Sequence, residues 1–477
     1  MTGPYLVGID CGTQSAKVVV YDADGRAVAQ GRQVLRPMSR PVHGVAVHPD
    51  DDLWDAIGEA SRRAMARFDG DPTEIAGVGI CPIRCCKVLL HADGTLAEPV
   101  ISWMDDRAYQ PYMPEPAPAY LTTTTGYIAH RCTGLRKDTV ANNILLQWPI
   151  DTDTWQWSDD PALYEQFGVR PEQLFELQMP GDVVGPLTAD AAQHTGLPVG
   201  IPVIATANDK AVEMLGAGSL GETSALVSLG TYIAAMVHGS VNHPEAQHFW
   251  TNFASVPHRY LYESNGVRRG MWTLTWFLDL LGDEVAERAT SFGLTREEYI
   301  EREAAVVPAG SDGLMTVLDW LATTDKPFRK GMMLGFDARH TRGHVYRSIL
   351  EAIALTMKFH VDAMTTELGI ELTDLVVSGG GSNSPLFMQI FADVFGVPTS
   401  RSVDGGGAAL GAAICAAVAT GVHPDIDTAA GCMAAERETF QPNPADGEIY
   451  RHMADAVYHD IRNHTDALFE RAYPIFH

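Results

Sequence analysis

The chain has 477 residues, is 46% hydrophobic, and sets 60 acidic against 34 basic residues, for a formal net charge of −26. That size predicts two or more domains, and the charge disfavours nucleic acid and anionic membranes as partners. It does not exclude a bound anion, because distant surface charge is screened over ~8 Å at physiological salt.

The N-terminus enters a strand almost at once, with no signal peptide or membrane span in view. Tyr5-Leu6-Val7-Gly8 and Val18-Val19-Val20-Tyr21 are short apolar runs that predict two antiparallel strands around Ile9 to Lys17. The connection holds Asp10, Gly12, Thr13, Gln14, Ser15 and Lys17. N–H groups, hydroxyls and one Lys suit a phosphate, and a carboxylate beside them suits Mg²⁺. An ordinary glycine hairpin is the alternative. Ala27 to Arg32 predicts a third strand, Leu53 to Phe68 an amphipathic helix opened by three aspartates, and Ile75 to Ile80 a buried strand. Lys87 to His91 and Pro99 to Ser102 predict further strands.

Between these lies Cys81-Pro82-Ile83-Arg84-Cys85-Cys86. Arg84 stands among apolar neighbours, as a surface loop Arg or a functional one. The three cysteines read as buried thiols, since no second Cys/His pair at zinc spacing accompanies them. Seven cysteines in all, an odd count without paired spacing, argue for a reducing cytoplasm. Trp103-Met104-Asp105-Asp106-Arg107 has two readings: an aromatic face with carboxylates for a polyhydroxylated ligand, or an Asp105–Arg107 ion pair that pins the loop. Tyr120 to Asp160 reads as mostly helical with Trp-rich connections. Pro202 to Thr206 predicts a strand that ends at Asn208-Asp209-Lys210, before a small-residue helix. Asp209 is either that helix's N-cap or a general base in a cleft.

Ser224 to Met236 repeats the opening pattern: strand, Gly230-Thr231 turn, strand. Two related domains, 1–219 and 220–477, would then present one Gly-Thr hairpin each to a shared cleft, with a pivot at Gly216 to Gly221. Val267 to Leu281 holds Gly270 and a helical pattern in which Trp272 and Trp276 read as core. His344 to Glu367 predicts a long helix ended by Gly369, and Leu375 to Ser378 a strand running into Gly379-Gly380-Gly381-Ser382-Asn383. Ser384 and Pro385 open the next helix. Gly405 to Ala413 opens another, whose small face serves tight packing or walls an adenine pocket.

In this order the motifs resemble those of the FGGY carbohydrate kinases, over nearly the whole chain. The resemblance implies an α/β fold: two related actin/hexokinase-like (ribonuclease H-like) domains flanking a central cleft. It implies ATP-dependent phosphorylation of a sugar or polyol hydroxyl, with ATP and Mg²⁺ as cofactors. Asp209 falls where the family keeps its catalytic base, and Asp10 where it helps place the metal. Gly12, Thr13, Gln14, Lys17, Gly230, Thr231, Gly270, Gly380, Gly381 and Asn383 fall on ATP-binding segments. Arg84, Cys85, Trp103, Asp105, Asp209 and Lys210 fall on the substrate side. The partner implied is a small sugar or polyol, with a homodimer as one allowed assembly. A catalytically silent sugar sensor and a sugar-independent ATPase are the competing readings. Three departures mark a divergent branch: Arg84-Cys85, the stretch Leu318 to Pro327, and Lys210, whose cation would lower the pKa of Asp209 or bind an acidic substrate group.

Overall fold

The computed structural model describes residues 3–42, 44–144, 147–230, 232–323, 325–403, 407–434 and 436–476. Thr231, Thr324, Gly405 and Gly406, which belong to sequence motifs named above, lie outside the described residues.

The first sheet is built from β1 (Tyr5–Cys11), β2 (Ser15–Tyr21), β3 (Ala27–Val34), β4 (Ile75–Pro82), β5 (Val183–Pro186) and β6 (Pro202–Ile204). Its six strands run in the order β5-β6-β4-β1-β2-β3. The β1–β2 hairpin is antiparallel, whereas β4 and β6 run parallel to β1. Helices α1 (Asp52–Met65) and α2 (Thr124–Thr133) bring residues to the core of this sheet, whereas Ala211, Val212 and Met214 of α3 (Asp209–Gly216), which follows β6, join a core with Leu226, Val227 and Ile233.

The second sheet contains β7 (Ser224–Leu229), β8 (Tyr232–Gly239), β9 (Phe249–Phe253) and β10 (Tyr260–Ser264). After α4 (Gly270–Leu280) and the long helix α5 (Arg342–Leu368), β11 (Asp374–Ser378) leads into α6 (Pro385–Phe395). Then come β12 (Thr399–Ser402), α7 (Ala408–Ala419) and β13 (Arg437–Phe440). The order is β9-β10-β8-β7-β11-β12-β13, with the short strand Val267–Arg268 also on β8. Again a hairpin, β7–β8, is flanked by parallel strands, β11 and β12. The sequence echo is thus a topological one: two sheets share one plan, the expected two-part actin/hexokinase-like architecture.

Side-chain alternation along β1 explains how the halves meet. Tyr5, Val7, Ile9 and Cys11 join a core with Leu53, Ile57 and Ala60 of α1. Leu6, on the other face, joins Ala409, Leu410 and Ala413 of α7. A helix from the far end of the chain therefore covers the first sheet. Contact is so close that a Cβ on Gly8 would overlap the Ala409 carbonyl, one on Gly79 the Ala412 carbonyl, and one on Gly216 the Gly407 carbonyl. Of the two readings of this small-residue helix, packing is the one its described residues display.

Local signals worked where the chain punctuates itself. Ser384 accepts from the Phe387 N–H at 3.0 Å with Pro385 at the first helical position, and Gly369 ends α5 in the left-handed region. They failed in 120–160, which is mostly not helical. Beyond α2 that segment holds short strands at Lys137–Thr139, Ile150–Asp151 and Gln156–Trp157. There Trp148 and Trp155 lie outside any helix and are nevertheless fully buried. Pro99 to Ser102 forms only bridges, from Ile101 to Val47 and Lys87. Trp276 packs on Trp320, but Trp272 is exposed under the Arg269 guanidinium. Among the described residues no helix is long and apolar enough to cross a membrane.

Candidate active site

The first hairpin brings opposite charges face to face. Asp10, near the end of β1, is the cross-strand partner of Lys17 on β2. The turn between them is closed by the Gly12 N–H donating to the Ser15 carbonyl at 3.1 Å. Gln14 stands exposed at its tip. Trp103 donates from Nε1 to Thr13 Oγ1 at 3.4 Å, so the Trp-x-Asp-x-Arg segment lies on this turn.

Asp105 does not face outward from that segment. It is fully buried and accepts from Arg107 Nε at 2.9 Å, Arg107 Nη2 at 2.7 Å and the Ala46 N–H at 2.8 Å. The expectation that Asp105 touches a substrate is corrected here: its carboxylate is spent on the ion pair that pins the loop.

Asp209 is the first residue of α3. The capping duty belongs to its neighbour: Asn208 accepts from the Ala211 N–H at 3.1 Å and donates to the Ala141 and Phe253 carbonyls. The N-cap reading of Asp209 is therefore withdrawn. Asp209 accepts from the Lys210 N–H at 2.9 Å, and its side chain keeps 30% of its surface exposed. Burial raises its pKa above the ordinary carboxylate value; Arg84 and Lys210 pull it back, and Glu213 and Glu263 push it further up.

Arg84 reaches Asp209 from the loop after β4, Nε to Oδ1 at 3.4 Å. Its main partner comes from the other half: Glu263 of β10, bidentate at 2.6 and 2.7 Å. Glu263 is almost fully buried, and its cross-strand neighbour Trp250 lies under the guanidinium at 5.2 Å. Burial alone would lower the Arg84 pKa, but the Glu263 carboxylate overrides it and holds the cation charged. Cys85 follows at φ +59°, its carbonyl accepting from Gln147 Nε2 at 2.8 Å. Burial pushes its thiol up to about 12, so it stays neutral.

Lys210 turns the other way. Its ammonium bonds Ser228 Oγ of β7, sits 3.5 Å from Glu213, and lies 3.7 Å from where a Cβ on Gly230 would stand. Glu213 also accepts from Ser228 Oγ, at 2.8 Å, and from Ser378 Oγ at the end of β11. Asp10 feels this group: burial raises its pKa to about 7, Asp209 and Glu213 add to the rise, and Lys17 and Lys210 oppose it.

Around the glycine loop, Gly380 has open space where a side chain would be, and Asn383 is exposed. Gly381 is buried against Leu229 and Met271, and Gly270 against Ile233 and Val267. Both are glycines that let elements pack. Thr231 lies outside the described residues. Sequence reading missed Glu213, Ser228, Trp250, Glu263 and Ser378. Only Glu263 carried a local signal, as a lone carboxylate in the buried run Tyr-Leu-Tyr-Glu-Ser; the rest depend on which strand ends meet.

With this geometry in view, comparison with known proteins is informative. The C-terminal domain of the FGGY family of carbohydrate kinases matches residues 225–420, and its N-terminal domain matches residues 5–115. The chain is 44% identical to the protein named "Uncharacterized sugar kinase YgcE" of Escherichia coli K12, covering 100% of this chain and 97% of that one. It is 25% identical to an autoinducer-2 kinase of Escherichia coli SMS-3-5, covering 96% and 94%. Among solved structures, xylulose kinase from Rhodospirillum rubrum superposes with a TM-score of 0.81 at 24% identity, covering 98% and 100%, which supports the fold alone. The chain belongs to the FGGY family of carbohydrate kinases.

Proposed function

We propose that the chain transfers the γ-phosphoryl group of ATP to a hydroxyl of a sugar or polyol, with Asp209 as general base. One observation carries this reading. Asn208 relieves Asp209 of the capping task, leaving a raised-pKa carboxylate partly open between the halves. A base of this kind accepts the hydroxyl proton as that oxygen bonds to phosphorus and the bond to the β-phosphate oxygen breaks, releasing ADP. Gly12, Thr13, Gln14 and Gly230, with Thr231, are assigned to the phosphates, and Lys17 supplies charge from the first hairpin. Gly380 and Asn383 are assigned to the adenosine end.

Among the described residues no group of three or more His, Cys, Asp or Glu side chains is arranged to hold a metal ion, so a divalent cation would rest on the single carboxylate of Asp10, whose pKa burial pulls up to about 7. Mg²⁺ held by Asp10 and phosphate oxygens would neutralise developing charge, and it needs no all-protein cage. The chain divides in this reading at 219/220, with the pivot at Gly216 to Gly221.

The charge balance of the acceptor end favours a neutral sugar or polyol over a sugar acid. Arg84 already faces two carboxylates, Glu263 and Asp209, so the cation has no spare charge for a third. Trp250 lies under that guanidinium, and Trp103 stands on the first hairpin at Thr13. The test is ADP release against a panel of ketoses, polyols and sugar acids, with wild type and Asp209→Asn side by side. Turnover of a neutral member by wild type, lost in the variant, supports the reading. Near-wild-type turnover by Asp209→Asn removes the base assignment, and turnover confined to sugar acids removes the neutral-acceptor assignment.

A further inference from the structure

Lys210 occupies an awkward position. It is the second residue of α3, where the helix dipole disfavours a cation. Its side chain is also largely covered, with 12% of its surface exposed. A residue there needs either a strong structural partner or a ligand.

Glu213, one turn on, is the obvious structural partner, yet its need for Lys210 is small. The Glu213 carboxylate already accepts from Ser228 Oγ and Ser378 Oγ, while the Lys210 contact is the long one at 3.5 Å. Ser228 and Ser378 are paired in register at the ends of the parallel strands β7 and β11. Glu213 thus ties α3 of the first half to the strand ends from which the Gly230 hairpin and the Gly379–Gly381 loop spring. Lys210 is held by the same group on the hairpin side, beside Gly230 and within electrostatic reach of Asp10 and Asp209. Arg84 is engaged elsewhere, by Glu263 and over the Trp250 ring.

Resting on the kinase reading above, we propose that Lys210 is a catalytic residue whose ammonium contacts the phosphoryl group in flight, and that Glu213 is the positioning residue that aims it. Of the two sequence expectations for Lys210, lowering the pKa of Asp209 agrees with its charge there, and in this proposal the anionic group it meets is phosphate rather than an acid on the sugar. In the transfer, phosphorus gains a bond to the acceptor oxygen and loses the bond to the β-phosphate oxygen. The acceptor proton goes to Asp209 and the electron pair of the broken bond leaves with ADP. Negative charge on the peripheral oxygens between the two is what a fixed ammonium stabilises.

The experiment uses whichever sugar the wild-type enzyme turns over in the panel. Lys210→Met is expected to lower kcat about 100-fold or more with the sugar KM and the ADP affinity unchanged within about threefold. Binding of ADP with aluminium fluoride and sugar, a mimic of the flying phosphoryl group, is expected to weaken by a similar factor. Glu213→Gln, which leaves the ammonium unaimed, is expected to fall about tenfold in kcat.

The double variant Lys210→Met/Glu213→Gln separates the chemistry from simple charge pairing. If Lys210 only neutralises Glu213, removing both restores kcat; the proposal expects stability restored and kcat still low. Restoration of kcat in the double variant, or a Lys210→Met enzyme with unchanged kcat, overturns the proposal while leaving the kinase reading intact. No turnover of any sugar by wild type would sink the kinase reading and this inference with it.

Discussion

The two hairpins, β1–β2 and β7–β8, share a topology and differ in their charges. The first carries its own charges, Asp10 opposite Lys17 on neighbouring strands. The second has Ser228 at the end of β7, and its cation arrives from elsewhere: Lys210, at the head of α3 in the other half. Shared topology therefore does not mean shared electrostatics. The first half concentrates ionisable groups, Asp10, Lys17, Arg84, Asp209, Lys210 and Glu213, while the second contributes hydroxyls, open glycines and one buried carboxylate, Glu263. Arg84 finds its main carboxylate partner, Glu263, on the second sheet, whereas Lys210 reaches a neutral hydroxyl there and keeps its carboxylate partner, Glu213, on its own helix.

The largest predicted effect lies at the base. Asp209→Asn is expected to reduce kcat about 1000-fold while nucleotide affinity, measured by calorimetry, stays near wild type. A variant with intact turnover would leave the phosphate machinery without an acid–base role for α3.

Asp10 gives a result of two signs. Its folded pKa of about 7 lies above the ordinary 3.8, so folding favours the protonated form. The associated stability is complete below 3.8 and is lost as pH rises through 7. Asp10→Asn cannot ionise, so the ligand-free variant is expected to melt about 2–4 °C above wild type at pH 8 and level with it below pH 4. Turnover is nevertheless expected to fall about 100-fold. Calorimetric scans at the two pH values check the stability half; a lower melting point at pH 8 would show that the Asp10 carboxylate is paired rather than crowded.

Arg84 tests the bridge between the halves. Arg84→Met leaves Glu263 buried without its cation and is expected to cost about 3 kcal/mol of stability. Because Arg84 lowers the pKa of Asp209, the acid limb of kcat/KM should also move to higher pH. The base must be ionised to act, so activity is lost as pH falls through a pKa that the substitution raises. Replacing both members, Arg84→Met with Glu263→Leu, should return most of the stability. A pH profile unmoved by Arg84→Met would detach Asp209 from this pair.

The smallest effects compare the hairpins directly. Lys17→Met is expected to raise the ATP KM about tenfold, the loss of one charge-assisted contact. Ser228→Ala should raise it about threefold, through loosening of the Lys210–Glu213 group that its hydroxyl holds. Equal effects would mean that the two hairpins are electrostatically alike after all.

Much of this was legible along the chain, and the rest was illegible for physical reasons. The hairpins announced themselves through β-branched runs around Gly turns, and α6 through Ser384 and Pro385, because such signals act within a few residues. Asp105 looked like a ligand because an Asp beside a Trp has the right chemistry; only the fold shows Arg107 and the Ala46 N–H consuming it. The helical reading of 120–160 failed because Trp148 and Trp155 are buried from irregular positions, where burial has no helical period. Glu263 and Arg84 are 179 residues apart, and Glu213 and Ser378 are 165 apart. Pairings at that distance are set by which strand ends meet. The small residues of α7 were visible, but that they bury the far face of the first sheet depends on the chain returning to its own beginning.

The central claim, that this cleft phosphorylates a neutral acceptor through Asp209, is tested most directly by coupled ADP release from wild type and Asp209→Asn over neutral ketoses, polyols and sugar acids. The account predicts sugar-dependent turnover by wild type with at least one neutral acceptor, and loss of about three orders of magnitude in the variant. ATP hydrolysis by wild type that no acceptor stimulates, or an Asp209→Asn enzyme as fast as wild type, would contradict it.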